Sequence, residues 1–251
     1  APSSTSMRAS SAARVPSAST ASGLISASVA SSPRNRANNL WAIPAIVLIL
    51  LFASMVAYVV SRFSFWFNVP LLIFFMAANL LPQQVIITPV YQMFLRIHLP
   101  TWLSESGAAY DSFIGLIAIN VAFQTGFCTF VLSNYMKTLP KSLTEAARVD
   151  GAGVTRQFFG IIMPLCRPAF AALAVLEFTW IYNDFFWAVV LMSSGDKQPI
   201  TSSLNNLQGQ FFTDNNLIAA ASVLVAIPTI LVFALLQRQF IGGLTLGSTK
   251  E

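Results

Sequence analysis

Two stretches decide what this chain can become. Leu40 to Val60 and Phe63 to Leu95 run without a charged residue and are dominated by apolar side chains. An uncharged apolar run of roughly 20 residues, coiled as a helix, matches the hydrocarbon thickness of a bilayer. In lipid, a helix satisfies its own backbone N–H and C=O groups. Composition agrees. Of 251 residues, 9% are charged and 55% are hydrophobic, whereas a soluble domain carries about 25% charged residues. The expected fold class is an all-α integral membrane protein with about five transmembrane helices.

The first span is placed at Leu40 to Val60, ended by Arg62. The second is placed at Val69 to Val90, with a kink or break near "LLPQQ" where Pro82 removes a backbone donor. The third is Ser112 to Leu132, the fourth Ala169 to Met192 and the fifth Asn216 to Leu236. Residues 91–111 and 193–215 read as polar loops. Ahead of the spans, residues 1–39 hold four arginines and no acid among Ser, Ala and Asn. That composition fits a disordered tail, and a transit peptide shares it. Residues 40–251 read as one transmembrane domain.

Charge gives the orientation. If the loop between spans three and four is cytoplasmic, Arg62, Lys137, Lys141, Arg148, Arg156, Arg167, Arg238 and Lys250 all lie inside. Only Arg96 and Lys197 fall in outer loops. This is the positive-inside pattern. The tail arginines disagree, and one further span ahead of Leu40 would remove the conflict. The net charge of +5 then belongs to headgroup contact with membrane lipid, and nucleic acid is not needed as a partner.

Several chemistries are excluded. The single histidine, His98, rules out His-based metal clusters and the usual His-driven triads. Cys128 and Cys166 share no metal-like spacing and read as packing residues. No Gly-Lys phosphate loop is present, so the chain does not hydrolyse ATP by that route. No cofactor, metal site or catalytic residue is expected, and the chain does not read as an enzyme.

The segment 139–168 stands apart. "SLTEAARVDGAG" combines an expected capping box, Ser142 with Glu145, and a helix stopped by Gly151 and Gly153. "VTRQFFGIIMPL" reads as a second short helix with Phe158, Phe159, Ile161 and Ile162 on or near one side, after which Pro164 and Pro168 lead back into the membrane. The expectation is a helix-turn-helix elbow on the cytoplasmic surface. Physical chemistry alone also permits an interfacial loop that merely connects two spans.

The spacing Glu145-Ala146-Ala147, three residues, Gly151, nine residues, Ile161, one residue, Met163-Pro164 resembles the EAA motif of bacterial ABC importer permeases. Met163 stands where that pattern usually has Leu. "YVVSRFSF", "LLPQQVIITPVY", "IYNDFFWAVVL" and "LQRQFIGGLTLGSTK" resemble further segments of the carbohydrate, maltose-permease-like second-subunit branch. The resemblance implies that the elbow is a coupling helix docking on a cytoplasmic ABC ATPase dimer. Glu145, Ala146, Ala147, Asp150, Gly151, Ile161 and Pro164 would carry that contact. It also implies a homologous permease subunit, an extracytoplasmic solute-binding protein and a multi-pass place in the bacterial plasma membrane. The five spans would match the family's spans two to six.

Glu177 and Asp184, two helical turns apart in span four, are candidates for a translocation path together with Asn183. Interhelical hydrogen bonding is the alternative. Asn79, Gln83, Gln84, Asn120 and Gln124 are weaker candidates, and Trp180, Tyr182, Phe185, Phe186 and Trp187 either stack on a sugar or pack helices. The expected function is the permease subunit of an ATP-driven importer for a sugar. A transport-incompetent paralogue or scaffold that still binds an ATPase is the alternative. A secondary transporter with Glu177 and Asp184 as ion sites ranks behind both.

Overall fold

The computed structural model describes residues 41–194 and 215–245. The expected tail over 1–39, most of the loop 193–215 and Lys250 lie outside the described residues. Helix α1, Ala42–Arg62, is the first span. Ala45, Ile49, Ala53 and Ala57 recur every four residues and are fully buried, so small side chains let the neighbouring helix approach. Ile43, Val47, Met55 and Val59 face outward and are equally apolar, as lipid contact requires. At its end, the Asn68 side-chain amide donates to the carbonyls of Val60 and Phe63, which have no acceptor role inside the helix.

The second span is broken. Helix α2, Asn68–Leu80, gives way to a 3₁₀ turn, Gln83–Ile86, and helix α3, Ile87–Arg96. The two arms meet at 86°. Pro82 holds Leu81 extended, at φ −68 and ψ 130, so the helix cannot continue through it. The expected kink near "LLPQQ" is thus a right-angled turn.

Helix α4, Phe113–Thr138, lies at the centre and packs on α1 and α2. Ser112 caps it, accepting from the Gly115 amide at 3.0 Å and donating to the Ala109 carbonyl at 2.7 Å. The helix runs six residues beyond the expected end at Leu132. Ser133 to Thr138 are polar apart from the buried Met136 and all helix-compatible, and the stop comes where Leu139, held extended before Pro140, leaves the helical region.

Helices α5, Ser142–Val149, and α6, Val154–Leu165, form the elbow. Helix α7, Arg167–Tyr182, follows at a 72° bend and packs on α1, α4 and the last described helix. The expected span Ala169 to Met192 is interrupted: α7 ends at Tyr182 and helix α8, Phe186–Leu191, begins after a break at Asn183. Helix α9, Asn215–Thr245, contains Pro228 and is tied to α7 by the Tyr182 hydroxyl donating to the Val225 carbonyl at 3.2 Å.

Among the described residues three helices are long and apolar enough to cross a membrane, or five spans if each bent pair counts as one. No strand occurs among them beyond one isolated bridge, His98 to Ala108. The fold is all-α. Contacts at both ends agree with alternate crossing. Arg62 at the end of α1 meets Leu139 at the end of α4. At the opposite end, Asp111 before α4 accepts from the Ser193 and Ser194 amides after α8, each at 3.0 Å.

Candidate functional site: a two-faced elbow and a polar cleft

In the elbow, α5 does not begin with the expected capping box. Lys141 is already helical, at φ −66 and ψ −27, and its carbonyl accepts from the amides of Thr144 and Glu145. Ser142 is therefore the first helical residue, and no side chain caps this end. A cap residue needs an extended backbone, and that position has passed by the time the chain reaches Ser142. The far end behaves as the glycine predicts. Gly151 adopts φ +76. The Ala152 amide donates to Ala147 at 2.8 Å and the Gly151 amide to Arg148 at 3.1 Å, the paired bonds of a Schellman turn.

Helix α6 contains a π turn over Phe158–Ile162. Phe158 and Ile162 point inward, four residues apart, whereas Phe159 is exposed and Ile161 half-buried. The four apolar residues therefore do not share one side. The elbow has two faces. Thr144, Ala147, Gln157, Phe158 and Ile162 are buried in the bundle. Glu145, Ala146, Asp150, Gly151 and Pro164 are exposed, beside exposed apolar residues Leu143, Val154, Phe159 and Val149, the last 88% exposed. Of the expected coupling residues, only Ala147 is buried and Ile161 half-buried.

A cleft of about 300 Å³ opens elsewhere in the bundle. Asn79, Gln83, Asn120, Phe123, Gln124, Trp180, Asp184 and Trp187 line it. Four separate elements bring them together. The α2 break places Asn79 and Gln83, α4 supplies Asn120, Phe123 and Gln124, the end of α7 supplies Trp180, and the start of α8 supplies Trp187. Asn79 is held by donating to the Phe123 carbonyl at 2.9 Å. Asn120 donates to Asp184 Oδ2 at 3.0 Å. Asp184 Oδ1 accepts from the Trp187 amide at 3.1 Å, which caps α8. The Trp187 ring lies 5.6 Å from that of Phe123, and the Trp180 ring 5.3 Å from that of Phe127. Trp187 Nε1 is buried with no partner among the described residues.

The three residues expected on a path separate. Asp184 lines the cleft. Asn183 is exposed and donates back to the Thr179 carbonyl at 2.8 Å. Glu177 is fully buried between α7 and α4, where the Cys128 thiol donates to its Oε1 at 3.1 Å. Its shared face with Asp184 is lost because Asp184 lies beyond the helix end. Gln84 is exposed and lies outside the cleft lining. Tyr182 is buried against α9 and Phe185 is exposed. Phe123 was invisible to sequence reasoning, because an aromatic in an apolar run gives no sign of the side it faces. Among the described residues no cluster of metal-ligating side chains occurs.

The described residues form an all-α bundle of apolar spans, broken at a polar cleft and carrying an exposed elbow. Residues 38–244 match the family described as binding-protein-dependent transport system inner membrane component, and the chain belongs to that family. It is 34% identical over 203 residues to a probable ABC transporter permease protein of Pyrococcus horikoshii, covering 81% of this chain and 70% of that one. It is 32% identical over 211 residues to an osmoprotective compounds uptake permease protein of Synechocystis, covering 84% and 67%. It is 28% identical over 205 residues to a melibiose/raffinose/stachyose import permease protein of Bacillus subtilis, covering 81% and 71%. A solved bacterial ABC transporter involved in import of the acidic polysaccharide alginate shares the fold, with a TM-score of 0.66 at 22% identity over 82% of this chain and 74% of that one. The chain is an ABC transporter permease subunit and not itself an enzyme.

Proposed function

We propose that this permease imports a sugar or similar polyhydroxylated solute, driven by a separate cytoplasmic ATPase dimer that docks on the elbow. The observation that carries the reading is the cleft lining. Four side-chain amides and two indole rings converge there, and Asp184, the one ionisable residue among the lining, already has both oxygens engaged. Amides exchange hydrogen bonds with hydroxyl groups, and indole faces stack on the apolar face of a sugar ring. The sugar import permease of Bacillus subtilis among the relatives supports this.

Coupling runs through the exposed elbow face, with Glu145, Ala146, Asp150, Gly151 and Pro164 on its surface and Ala147 and Ile161 supporting it from beneath. An ATPase closing on this face would reorient the spans around the cleft. Residues 40–251 act as one transmembrane domain. A homologous permease subunit completes the pathway and a solute-binding protein delivers the cargo at the outer face of the bacterial plasma membrane. Of the expected path residues, Asp184 shapes the cleft, whereas Asn183 and Glu177 act outside its lining.

The test is uptake of labelled oligosaccharides into vesicles holding the assembled transporter. Trp180→Ala, which removes the indole of the lining that is 43% exposed, is expected to cut uptake at least tenfold while the complex still assembles. Uptake that persists after the ATPase is omitted would sink the proposal.

A further inference from the structure

The buried face of the elbow rests on one place in the bundle. The Tyr58 ring, four residues before the end of α1, lies 5.2 Å from the Phe158 ring in the π turn of α6. Both residues are 5% exposed or less. One turn further on, Arg62 Nη1 donates to the Leu139 carbonyl at 3.3 Å, where α4 ends and the elbow begins. Arg62 Nε and Nη2 are buried and find no hydrogen-bond partner among the described residues. Between them, the Ser61 hydroxyl faces Met136 Sδ at 3.8 Å.

Three features make this more than packing. An aromatic pair between a short surface helix and a spanning helix resists shear, because its offset geometry is lost when either ring slides. A guanidinium satisfied at one of its three nitrogens favours any displacement that brings a second acceptor, since buried unmet donors are costly. The last carbonyls of α4 are such acceptors, carrying the negative end of the helix dipole. Finally, α1 packs against α4, and α1 carries a fully buried stripe of Ala45, Ile49, Ala53 and Ala57. From Met136, α4 reaches Gln124 of the cleft after about 18 Å of helix rise.

We infer that the end of α1 is the receiving contact for the elbow: Tyr58 and Arg62 act as positioning residues that convert displacement of Phe158 into movement of α1 and α4, and so of the cleft. The inference rests on the proposed docking of an ATPase at the elbow. Tyr58 grips the elbow through its ring, and Arg62 exchanges acceptors at the end of α4 as the elbow moves.

The experiment measures ATP hydrolysed per solute imported by the assembled transporter in vesicles, alongside co-purification of the ATPase. Tyr58→Leu and Phe158→Leu should each raise the ratio at least fivefold, and the double variant should raise it no further than the larger single effect. Tyr58→Phe, which keeps the ring, should restore the ratio to within twofold of the parent. Arg62→Met should raise the ratio and Arg62→Lys should do so less. In all of them the ATPase should co-purify. A parental ratio in Tyr58→Leu and Phe158→Leu overturns the inference, as does independent multiplication of the two single effects. Should either leucine variant fail to accumulate, the ratios of Arg62→Met and Arg62→Lys decide, and parental values in both overturn it. Failure of the underlying docking reading shows separately. Val149→Asp on the exposed face would then leave ATPase co-purification unchanged.

Discussion

Replacing Gly151 separates two effects that a bulky substitution would otherwise mix. Gly151 sits at φ +76 in the turn after α5, and an added Cβ would meet nothing within 4 Å. Within this chain a side chain therefore has space, and the cost is confined to the backbone. A left-handed residue with a Cβ costs about 1–2 kcal/mol, and Asn is the side chain that tolerates the region best. That range corresponds to a factor of about 5–30 in the population of the intact turn. The Ala152 amide, bonded to Ala147 at 2.8 Å, reports on it directly. In Gly151→Ala its hydrogen exchange should quicken about 5–30-fold if the opened turn is the exchanging state, the range set by the left-handed cost. Gly151→Val should exceed that, and Gly151→Asn should stay close to the parent. Uptake per ATP should fall in the same order. Equal exchange in Ala and Asn variants would refute the backbone argument. Normal exchange with lost coupling would instead place the effect on the docked partner.

Other substitutions probe the packing and the cleft. A Cβ at Gly126 would lie 3.1 Å from the Phe75 carbonyl and 3.2 Å from its Cβ, so Gly126→Ala should push α2 off α4 and cost about 1–3 kcal/mol, seen as a lowered Tm in detergent. Asp184→Ala removes acceptors for Asn120 and the Trp187 amide and should cut uptake more than Asp184→Asn, which still caps α8; equal losses would show that the charge matters and the cap does not. Asp111→Ala strips the acceptor for the Ser193 and Ser194 amides. Hydrogen bonds to a charged group contribute about 1.5–3 kcal/mol, so exchange at those amides should rise at least tenfold, with unchanged exchange counting against a stabilising role for Asp111.

The spans were legible because lipid imposes one rule on every residue of a helix. The uncharged run of α1 could hardly be read otherwise, and Pro82 announced the break in span two. The Gly151 turn was legible because glycine adopts that backbone more cheaply than any residue with a Cβ. Two local readings failed for local reasons. Ser142 looks like a cap, but Lys141 had already turned helical. Span four looked continuous because Asn183, Asp184 and Phe185 carry no helix breaker, and Asp184 made its own break by capping α8. The cleft was half legible. Asn79, Gln83, Asn120 and Gln124 stood out as polar residues at membrane depth, but their sequence positions could not say that they meet.

The class of structure, the break in span two and the glycine-closed turn of the elbow could therefore be read from the residues alone. Each follows from chemistry that acts within a few residues or against a uniform solvent. Which side chains face one another is settled by packing across the bundle. Asp184 reaches Asn120 across 64 positions of chain, Glu177 is sealed against Cys128, and Tyr58 meets Phe158 at the elbow. Those pairings depend on how helices bend and cross, and in a chain apolar on every face no periodicity marks the side that turns inward.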